Sequence, residues 1–97
     1  MEKGGCVYII TNTFNTVLYI GVTSDLYSRM IEHRNKMYPK SFTAKYNCNK
    51  LVFFEMYSTI DEAIGMEKRL KKWNRAWKNR LIEKSNPMWI DLFSEDL

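Results

Sequence analysis

The sequence predicts a single α/β domain, because β-rich runs and amphipathic helical patterns alternate along a chain of 97 residues. Residues Cys6–Asn12 (CVYIITN) are β-branched and aromatic, which is typical of a strand. After a turn at Thr13–Asn15 the chain returns as a second strand, Val17–Gly21, and so forms a hairpin. A third run, Leu51–Tyr57 (LVFFEMY), is apolar enough to be central in a sheet or covered on both faces. We expect one domain over residues 1–97.

The composition is that of a soluble protein with one core. Apolar residues make up 45% of the chain and aromatic residues 14%. There is no run of about eighteen apolar residues, and the first residues (MEKGGC) lack the pattern of a signal peptide. We therefore expect a cytoplasmic protein that does not enter a membrane. Cys6 and Cys48 have no metal-binding spacing, so reduced thiols are expected.

The register of the hairpin decides how its two tyrosines meet. If Thr11 and Thr16 close a loop over Asn12–Asn15, antiparallel counting sets Tyr8 directly opposite Tyr19. Residues opposite each other share a face of the sheet, so the two phenols would form a pair. Ordinary cross-strand packing would account for them equally well.

The stretch Tyr19–His33 (YIGVTSDLYSRMIEH) predicts a strand that breaks at Gly21 and a helix capped by Thr23 or Ser24. At roughly 100° per residue, Arg29 and His33 share the face that Leu26 and Met30 turn toward the core. Polar groups on such a face need a partner or a pocket. His33 is the single histidine of the chain, which excludes a zinc site built from several histidines.

A second helix is predicted after Thr59, which begins a capping box that Glu62 completes. Glu67 falls within the apolar stripe of this helix, where a lone carboxylate needs an explanation. One interpretation is a salt bridge to Arg29. The other is a ligand for a magnesium ion, which uses one or two carboxylates and completes its shell with water and phosphate.

Eight of the 15 lysine and arginine residues lie between Lys68 and Lys84, with tryptophans interleaved. This pattern indicates a surface for a polyanion, or else an ordinary solvated helix face. Asn74 interrupts the helical pattern, and a further short helix is expected over Arg75–Lys84. The apolar tail Met88–Phe93 is expected to pack across the domain, and the chain closes with acidic residues that include Glu95 and Asp96. The loop Tyr38–Asn49 is polar and long enough to carry function.

Taken together, several of these residues fall into one known pattern. They are Tyr8, Tyr19-Ile20-Gly21, Thr23, Asp25-Leu26, Arg29, His33 and, much later, Glu67. This set resembles the GIY-YIG nuclease superfamily, in particular its small stand-alone bacterial members, from Cys6 to about Asp91. The first half of the motif departs from the pattern, since Cys6-Val7-Tyr8 stands where the family name has Gly-Ile-Tyr.

The resemblance implies an α/β (α+β) fold with a three-stranded antiparallel sheet flanked by helices. It further implies an endonuclease that cuts phosphodiester bonds in DNA with one divalent ion, Mg²⁺ or Mn²⁺. Glu67 would bind the metal, and Arg29 would contact the scissile phosphate. Because no recognition domain is evident, we expect cleavage directed by nucleic-acid structure rather than sequence.

The remaining roles that the resemblance implies concern proton transfer and positioning. Tyr8 would be the base that activates water, and His33 would help it lose its proton. Tyr19 would orient water or phosphate, and Asn79 would be a structural or active-site amide. Nucleic-acid contacts are expected from the basic residues Lys40, Lys45, Lys68, Lys71, Lys72, Arg75 and Lys78.

Two other functions remain open at this stage. The first is a nucleic-acid-binding module that cleaves weakly or not at all, since binding needs only the basic segment and the lysines of the loop. The second is a protein-interaction domain that docks a partner through exposed tryptophans. No obligate protein partner is evident from the sequence.

Overall fold

The computed structural model describes residues 4–94, which form a three-stranded antiparallel sheet with helices on both of its faces. In chain order the elements are β1 (Gly5–Thr11), β2 (Leu18–Thr23), α1 (Leu26–Arg34), α2 (Phe42–Lys45), β3 (Lys50–Tyr57), α3 (Ile60–Lys72) and α4 (Arg75–Ser85). The predicted fold class, α+β with a three-stranded antiparallel sheet, is confirmed. Within the described residues no helix is long and apolar enough to cross a membrane.

The central strand is β1, in the order β2-β1-β3, and every residue of β1 is buried. The third apolar run is not central, because β3 is an edge strand, and it is covered on both faces only in its first half, residues 51–53. Phe54 and Met56 on β3 are 44% and 64% exposed. The physical reason is that α3 packs mainly on β1 and β2 and leaves the second half of β3 uncovered. An apolar run alone does not reveal which side of a sheet the helices will cover.

The register of the hairpin differs from the predicted one by two residues. Tyr8 pairs with Gly21, and Tyr19 pairs with Ile10. Asn12 causes the shift, because its side-chain oxygen accepts from the backbone amides of the two loop residues before β2, at 2.9 and 3.2 Å. Those amides do not extend the ladder. Since a shift of two preserves the face, Tyr8 and Tyr19 become diagonal neighbours with ring centroids 6.3 Å apart.

The transition from β2 to α1 also lies later than predicted. The strand continues through Gly21 to Thr23, and the helix is capped by Asp25 rather than by Thr23 or Ser24. The Asp25 carboxylate accepts from the Ser28 amide at 3.2 Å and from its hydroxyl at 2.8 Å. A carboxylate that receives both bonds satisfies the helix end better than a single hydroxyl would.

Successive side chains of β1 point to opposite faces of the sheet and so divide the core into two clusters. On one face, Val7 and Ile9 pack with residues of α3 and α4, among them Leu70 and Ile82. On the other face, Tyr8 and Ile10 pack with Met30 of α1. Each helix layer is therefore held by one set of alternate residues of the same strand.

Both cysteines are free thiols, as predicted, and both are fully buried. Burial raises the pKa of both thiols. At Cys6 a hydrogen bond with the backbone of Glu55 acts in the opposite direction, whereas at Cys48 burial is the one cause. Cys48 was expected in a polar loop, but it lies in the cluster with Tyr8 and Met30. The loop around it is more ordered than predicted, because residues 42–45 form the short helix α2.

The helices after β3 begin as the sequence predicts. Thr59 caps α3 by accepting from the Glu62 amide at 3.2 Å, and Asn74 caps α4 by accepting from the Trp77 amide at 2.9 Å. The cap at Thr59 was predicted from its capping box, whereas Asn74 was expected only to interrupt the helical pattern before a further helix.

The apolar tail packs only through alternate residues. Trp89 and Phe93 contact the two core clusters, whereas Met88 and Ile90 remain exposed. The Arg34 guanidinium ties the tail down by pairing with Asp91 and by lying over the Phe93 ring at 4.7 Å. The predicted packing is confirmed for one side of the tail. The acidic residues Glu95 and Asp96 lie outside the described residues.

Candidate active site

A cavity of about 240 Å³ opens between α1 and the segment that carries α2. Its lining residues are Tyr19, Arg29, Glu32, His33, Lys36, Tyr38, Ser41, Phe42 and Thr43. Three of the predicted site residues, Tyr19, Arg29 and His33, therefore share one cavity. Helix α1 packs against the sheet face to which Tyr8 and Tyr19 belong. Arg29 and His33, four residues apart on α1, therefore lie close to Tyr19.

Tyr8 lies directly behind this cavity rather than on its surface. Its side chain is buried, and its hydroxyl is 2.9 Å from His33 Nε2. The ring crosses Gly21, where a Cβ atom would lie 2.3 Å from the Tyr8 hydroxyl and from Cζ. Gly21 was expected to allow a bend between strand and helix. Its role in the structure is to make room for the Tyr8 ring.

The electrostatics of the pair keep both groups neutral at neutral pH. Burial raises the pKa of the Tyr8 phenol well above its ordinary value, and Tyr19 adds to this, while the charge of Arg29 opposes it. Burial, followed by the charge of Arg29, lowers the pKa of His33. The charge of Arg29 favours the Tyr8 phenolate, but this influence is outweighed by burial.

The second ring nitrogen of the histidine is held by a residue that sequence reasoning missed. His33 Nδ1 lies 3.0 Å from Oγ1 of Thr43, which is buried on α2. The Thr43 hydroxyl lies 3.3 Å from Ser41 Oγ, and Ser41 caps α2. The available signal was Ser41, a residue type that often caps helices, followed by residues that can form a helix. The sequence predicts a functional loop here and singles out its lysines, whereas the structure has the short helix α2 with Thr43 on it.

Arg29 keeps much of its guanidinium available in the cavity. Its ion pair with Glu32 is long, at 3.9 Å, and 39% of the Arg29 side chain is exposed. Glu32 also accepts from the Tyr38 hydroxyl at 3.2 Å. Glu32 is a second residue that the sequence reading overlooked, although its spacing of three from Arg29 on α1 is an ion-pair signal. An exposed guanidinium with a weak partner can receive an anion.

A second cavity, of about 370 Å³, lies on the other side of Tyr19 at the free edge of β2. Tyr19 and Phe42 line both cavities, and their rings are stacked with centroids 6.1 Å apart. Lys71 and Lys78, from α3 and α4, line the second cavity. The two helix layers on opposite faces of the sheet therefore meet at this edge, with a cationic side toward α3 and α4.

Glu67 lies on α3 beside this second cavity and not in the first one. Its carboxylate is 3.3 Å from Lys71 Nζ and only 15% of its side chain is exposed. The predicted alternative of an ion pair with Arg29 is wrong, because Lys71 at helical spacing takes that place. Within residues 4–94 no group of three or more histidine, cysteine, aspartate or glutamate side chains could hold a metal. Any metal bound by Glu67 would have to complete its shell with water and substrate oxygens.

Asn79 lines neither cavity and instead serves a connection between elements. Its side-chain oxygen accepts from Arg75 Nε at 2.9 Å. The same guanidinium donates to the backbone oxygens of Asn15 at 2.6 Å and Thr16 at 3.0 Å. Arg75, expected to contact nucleic acid, thus fastens α4 to the β1–β2 loop. Asn79 orients this guanidinium.

The other basic residues expected to contact nucleic acid are exposed on two segments. Lys40 and Lys45 belong to the segment around α2, where Lys45 Nζ lies 5.4 Å from the centre of the Tyr46 ring. Lys68 and Lys72 are exposed on α3. The α2 segment also presents aromatic surface, since Phe42 is 47% exposed and packs against Tyr46.

The three-stranded sheet and its helix layers define a small α+β domain, with a cavity lined by a phenol, an imidazole and a guanidinium. Residues 4–81 match the GIY-YIG catalytic domain, so the chain belongs to the GIY-YIG family, which points to a nuclease. It is 36% identical over 81 residues to a UPF0213 protein of Syntrophus aciditrophicus, covering 84% of this chain and 91% of that protein.

A second relative is a UPF0213 protein of Bacillus pumilus, 31% identical over 83 residues, with 86% of this chain and 84% of that protein covered. No solved structure gives a significant match. The resemblance predicted from Tyr8, the Tyr19–His33 stretch and Glu67 is therefore confirmed at the level of the family.

Proposed function

We propose that this protein is a metal-dependent endonuclease that hydrolyses phosphodiester bonds in DNA, directed by the structure of the substrate rather than by its sequence. The observation that carries the proposal is the cavity in which Arg29, Tyr19 and His33 meet, with the Tyr8 hydroxyl bonded to His33 behind it. Within a family of nucleases, this arrangement suits a phosphate group.

The expected roles follow from the chemistry of each side chain. Arg29 stabilises the charge that develops on the phosphate oxygens, because its guanidinium is exposed and weakly paired. Tyr8 and His33 act as a unit that accepts the proton of the attacking water, with the proton of the phenol passing to His33 Nε2. Tyr19 orients water or phosphate from the wall shared by the two cavities.

Glu67 is the residue that would hold Mg²⁺ or Mn²⁺. A single, largely buried carboxylate with one lysine partner fits a hard cation that keeps most of its water, and does not fit a cage made by the protein alone. When bound, the ion would supply a Lewis acid that stabilises negative charge on phosphate oxygens. Lys71 would then exchange its partner, the Glu67 carboxylate, for a backbone phosphate.

The lysines around the second cavity support a path for the nucleic-acid backbone. Lys71 and Lys78 lie on one side of the Tyr19–Phe42 wall, and Arg29 lies on the other. A strand crossing this wall would present successive phosphates to both sides. Such contacts fix the position of a strand without reading its bases.

The test is cleavage of branched, flapped and linear DNA with Mg²⁺ and with Mn²⁺. We expect metal-dependent cutting that Glu67→Gln and Arg29→Gln reduce by at least about a hundredfold, as for loss of a group that stabilises transition-state charge. Glu55→Gln, an exposed carboxylate on β3, is the matched control and should cut normally.

Two outcomes would contradict the proposal in favour of the alternatives. DNA binding without any metal-dependent cut, unchanged by Glu67→Gln, would favour a binding module. Negligible DNA affinity, or an affinity that does not fall with salt, would favour a protein-interaction domain instead.

A further inference from the structure

Thr43 and His33 come from separate elements but share a buried hydrogen bond. Thr43 lies on α2 and is 6% exposed, and its Oγ1 atom is 3.0 Å from His33 Nδ1. The opposite nitrogen, Nε2, is 2.9 Å from the Tyr8 hydroxyl. The imidazole therefore lies between two hydroxyl groups, one from the sheet and one from a helix of the following segment.

The direction of these bonds follows from the number of available protons. Within residues 4–94 the Tyr8 hydroxyl has His33 Nε2 as its hydrogen-bond partner and no other. If Nε2 carried a hydrogen, the buried phenolic hydrogen of Tyr8 would lack an acceptor. Nε2 must therefore accept, and a neutral imidazole then carries its hydrogen on Nδ1 and donates to Thr43.

The Thr43 hydroxyl can accept that bond because its own hydrogen has another destination. Ser41 Oγ lies 3.3 Å from Thr43 Oγ1, and Ser41 also accepts from the Ala44 amide as the cap of α2. The chain of bonds from Tyr8 through His33 and Thr43 to Ser41 thus runs in one direction. The short helix is fixed at the point where its threonine meets the histidine.

We propose that Thr43 is a positioning residue whose hydroxyl accepts from His33 Nδ1–H and so holds the imidazole with Nε2 facing the Tyr8 hydroxyl. Its contribution to catalysis rests on the proposed nuclease function, since it acts through His33. When the Tyr8 proton moves to Nε2, the resulting imidazolium donates from both nitrogens, to the Tyr8 oxygen and to Thr43. Removing the threonine oxygen leaves one of these donors without an acceptor.

The first test is the tautomer of the histidine in the full chain, measured by long-range proton–nitrogen NMR. His33 is the single histidine, so its two ring nitrogens give an unambiguous signal. Wild type should show a protonated Nδ1 and an unprotonated Nε2 at neutral pH. A protonated Nε2 in wild type would overturn the proposal, and this measurement does not depend on any variant folding.

The second test uses Thr43→Val, which keeps the shape and removes the hydroxyl, and Thr43→Ser, which restores it. Both variants should keep the Nδ1–H form, because Tyr8 still needs Nε2 as its acceptor, but the valine variant should lose the downfield shift that a hydrogen bond gives the Nδ1–H proton, and the serine variant should regain it. Thr13→Val, on the exposed β1–β2 loop, is the matched control and should leave the spectrum unchanged. A valine variant whose Nδ1–H proton signal matches that of wild type would overturn the proposal.

Kinetics separate this proposal from the nuclease proposal. With cleavable DNA, Thr43→Val should lower kcat by about tenfold with KM unchanged, and Thr43→Ser should recover most of the loss. A purely structural role would not lower kcat alone, with KM unchanged, and would not be restored by the serine hydroxyl. If wild type cut no DNA, the nuclease proposal alone would fail, while the tautomer would still decide the role of Thr43.

Discussion

At the scale of the residue, the ring of Tyr8 rather than the backbone requires glycine at position 21. The described glycines do not have positive φ angles, so the backbone at Gly21 would accept any residue. The obstacle is the phenol, which would lie 2.3 Å from an added Cβ atom. This close approach also holds the Tyr8 hydroxyl against His33. The glycine of the YIG segment thus sets the position of the first tyrosine.

Gly21→Ala should therefore lower the free energy of unfolding by about 2 kcal/mol or more, because a buried ring must move or the sheet must open. Gly65→Ala is the matched control. Gly65 is exposed on α3 with no atom within 4 Å of an added Cβ, so alanine should raise stability by about 0.5–1 kcal/mol. Urea unfolding measures both. A Gly21→Ala protein as stable as wild type would contradict this account of the ring.

The residues of the candidate site were predictable to the extent that they depend on local periodicity. The spacing of four placed Arg29 and His33 on one helix face. The predicted hairpin pairing placed Tyr8 and Tyr19 on one face of the sheet. Because the observed register differs by two residues, both tyrosines still lie on the same face. Thr43 was missed because its contact with His33 joins two elements, whereas Glu32 was overlooked although its spacing of three from Arg29 was a local signal.

At the scale of the element, α4 is joined to the hairpin by one guanidinium. Arg75 donates to the backbone oxygens of Asn15 and Thr16 and to the side chain of Asn79. Asn15 has a positive φ of 58°, a conformation that asparagine tolerates in turns. The helix thus stabilises the turn that sets the hairpin register. The sequence did not reveal this, because the contact joins residues about sixty positions apart.

Arg75→Lys should lower the free energy of unfolding by about 1–2 kcal/mol, since one ammonium group cannot replace a planar fork that makes three hydrogen bonds. Arg80→Lys, on the exposed side of the same helix, is the matched control and should change stability by less than about 0.5 kcal/mol. Both substitutions keep the net charge, so chemical denaturation reports the hydrogen bonds alone. If both variants changed the free energy of unfolding equally, the hydrogen bonds of Arg75 would contribute nothing to stability beyond those of an exposed arginine.

At the scale of the whole molecule, local signals fixed the elements and long-range contacts fixed their arrangement. The cap at Thr59 and the start of α4 after Asn74 were predictable because each depends on a few neighbouring residues. The position of β3 at the edge of the sheet was not, since it depends on where α3 packs. The pairing of Glu67 with Lys71 is a local signal, since the two residues are four apart on one helix, whereas the prediction placed the partner of Glu67 on another element.

Eight of the 15 lysine and arginine residues lie on α3 and α4, and two of them, Lys71 and Lys78, line the cavity at the free edge of β2. If this edge carries a nucleic-acid strand, each lysine that meets a phosphate releases a counterion on binding. The plot of log affinity against log salt should then have a negative slope that becomes shallower by about one for Lys71→Gln and by about one for Lys78→Gln. Fluorescence anisotropy with labelled DNA at several salt concentrations measures it.

Lys50→Gln is the matched control for this measurement. Lys50 begins β3, the edge strand on the far side of β1 from β2, and removal of its charge changes the net charge equally. A uniform attraction between a basic protein and DNA would give the same slope for all three variants. Unequal slopes, with Lys50→Gln close to wild type, are expected if phosphates lie along the β2 edge. Identical slopes would contradict a backbone path past Tyr19 and Phe42.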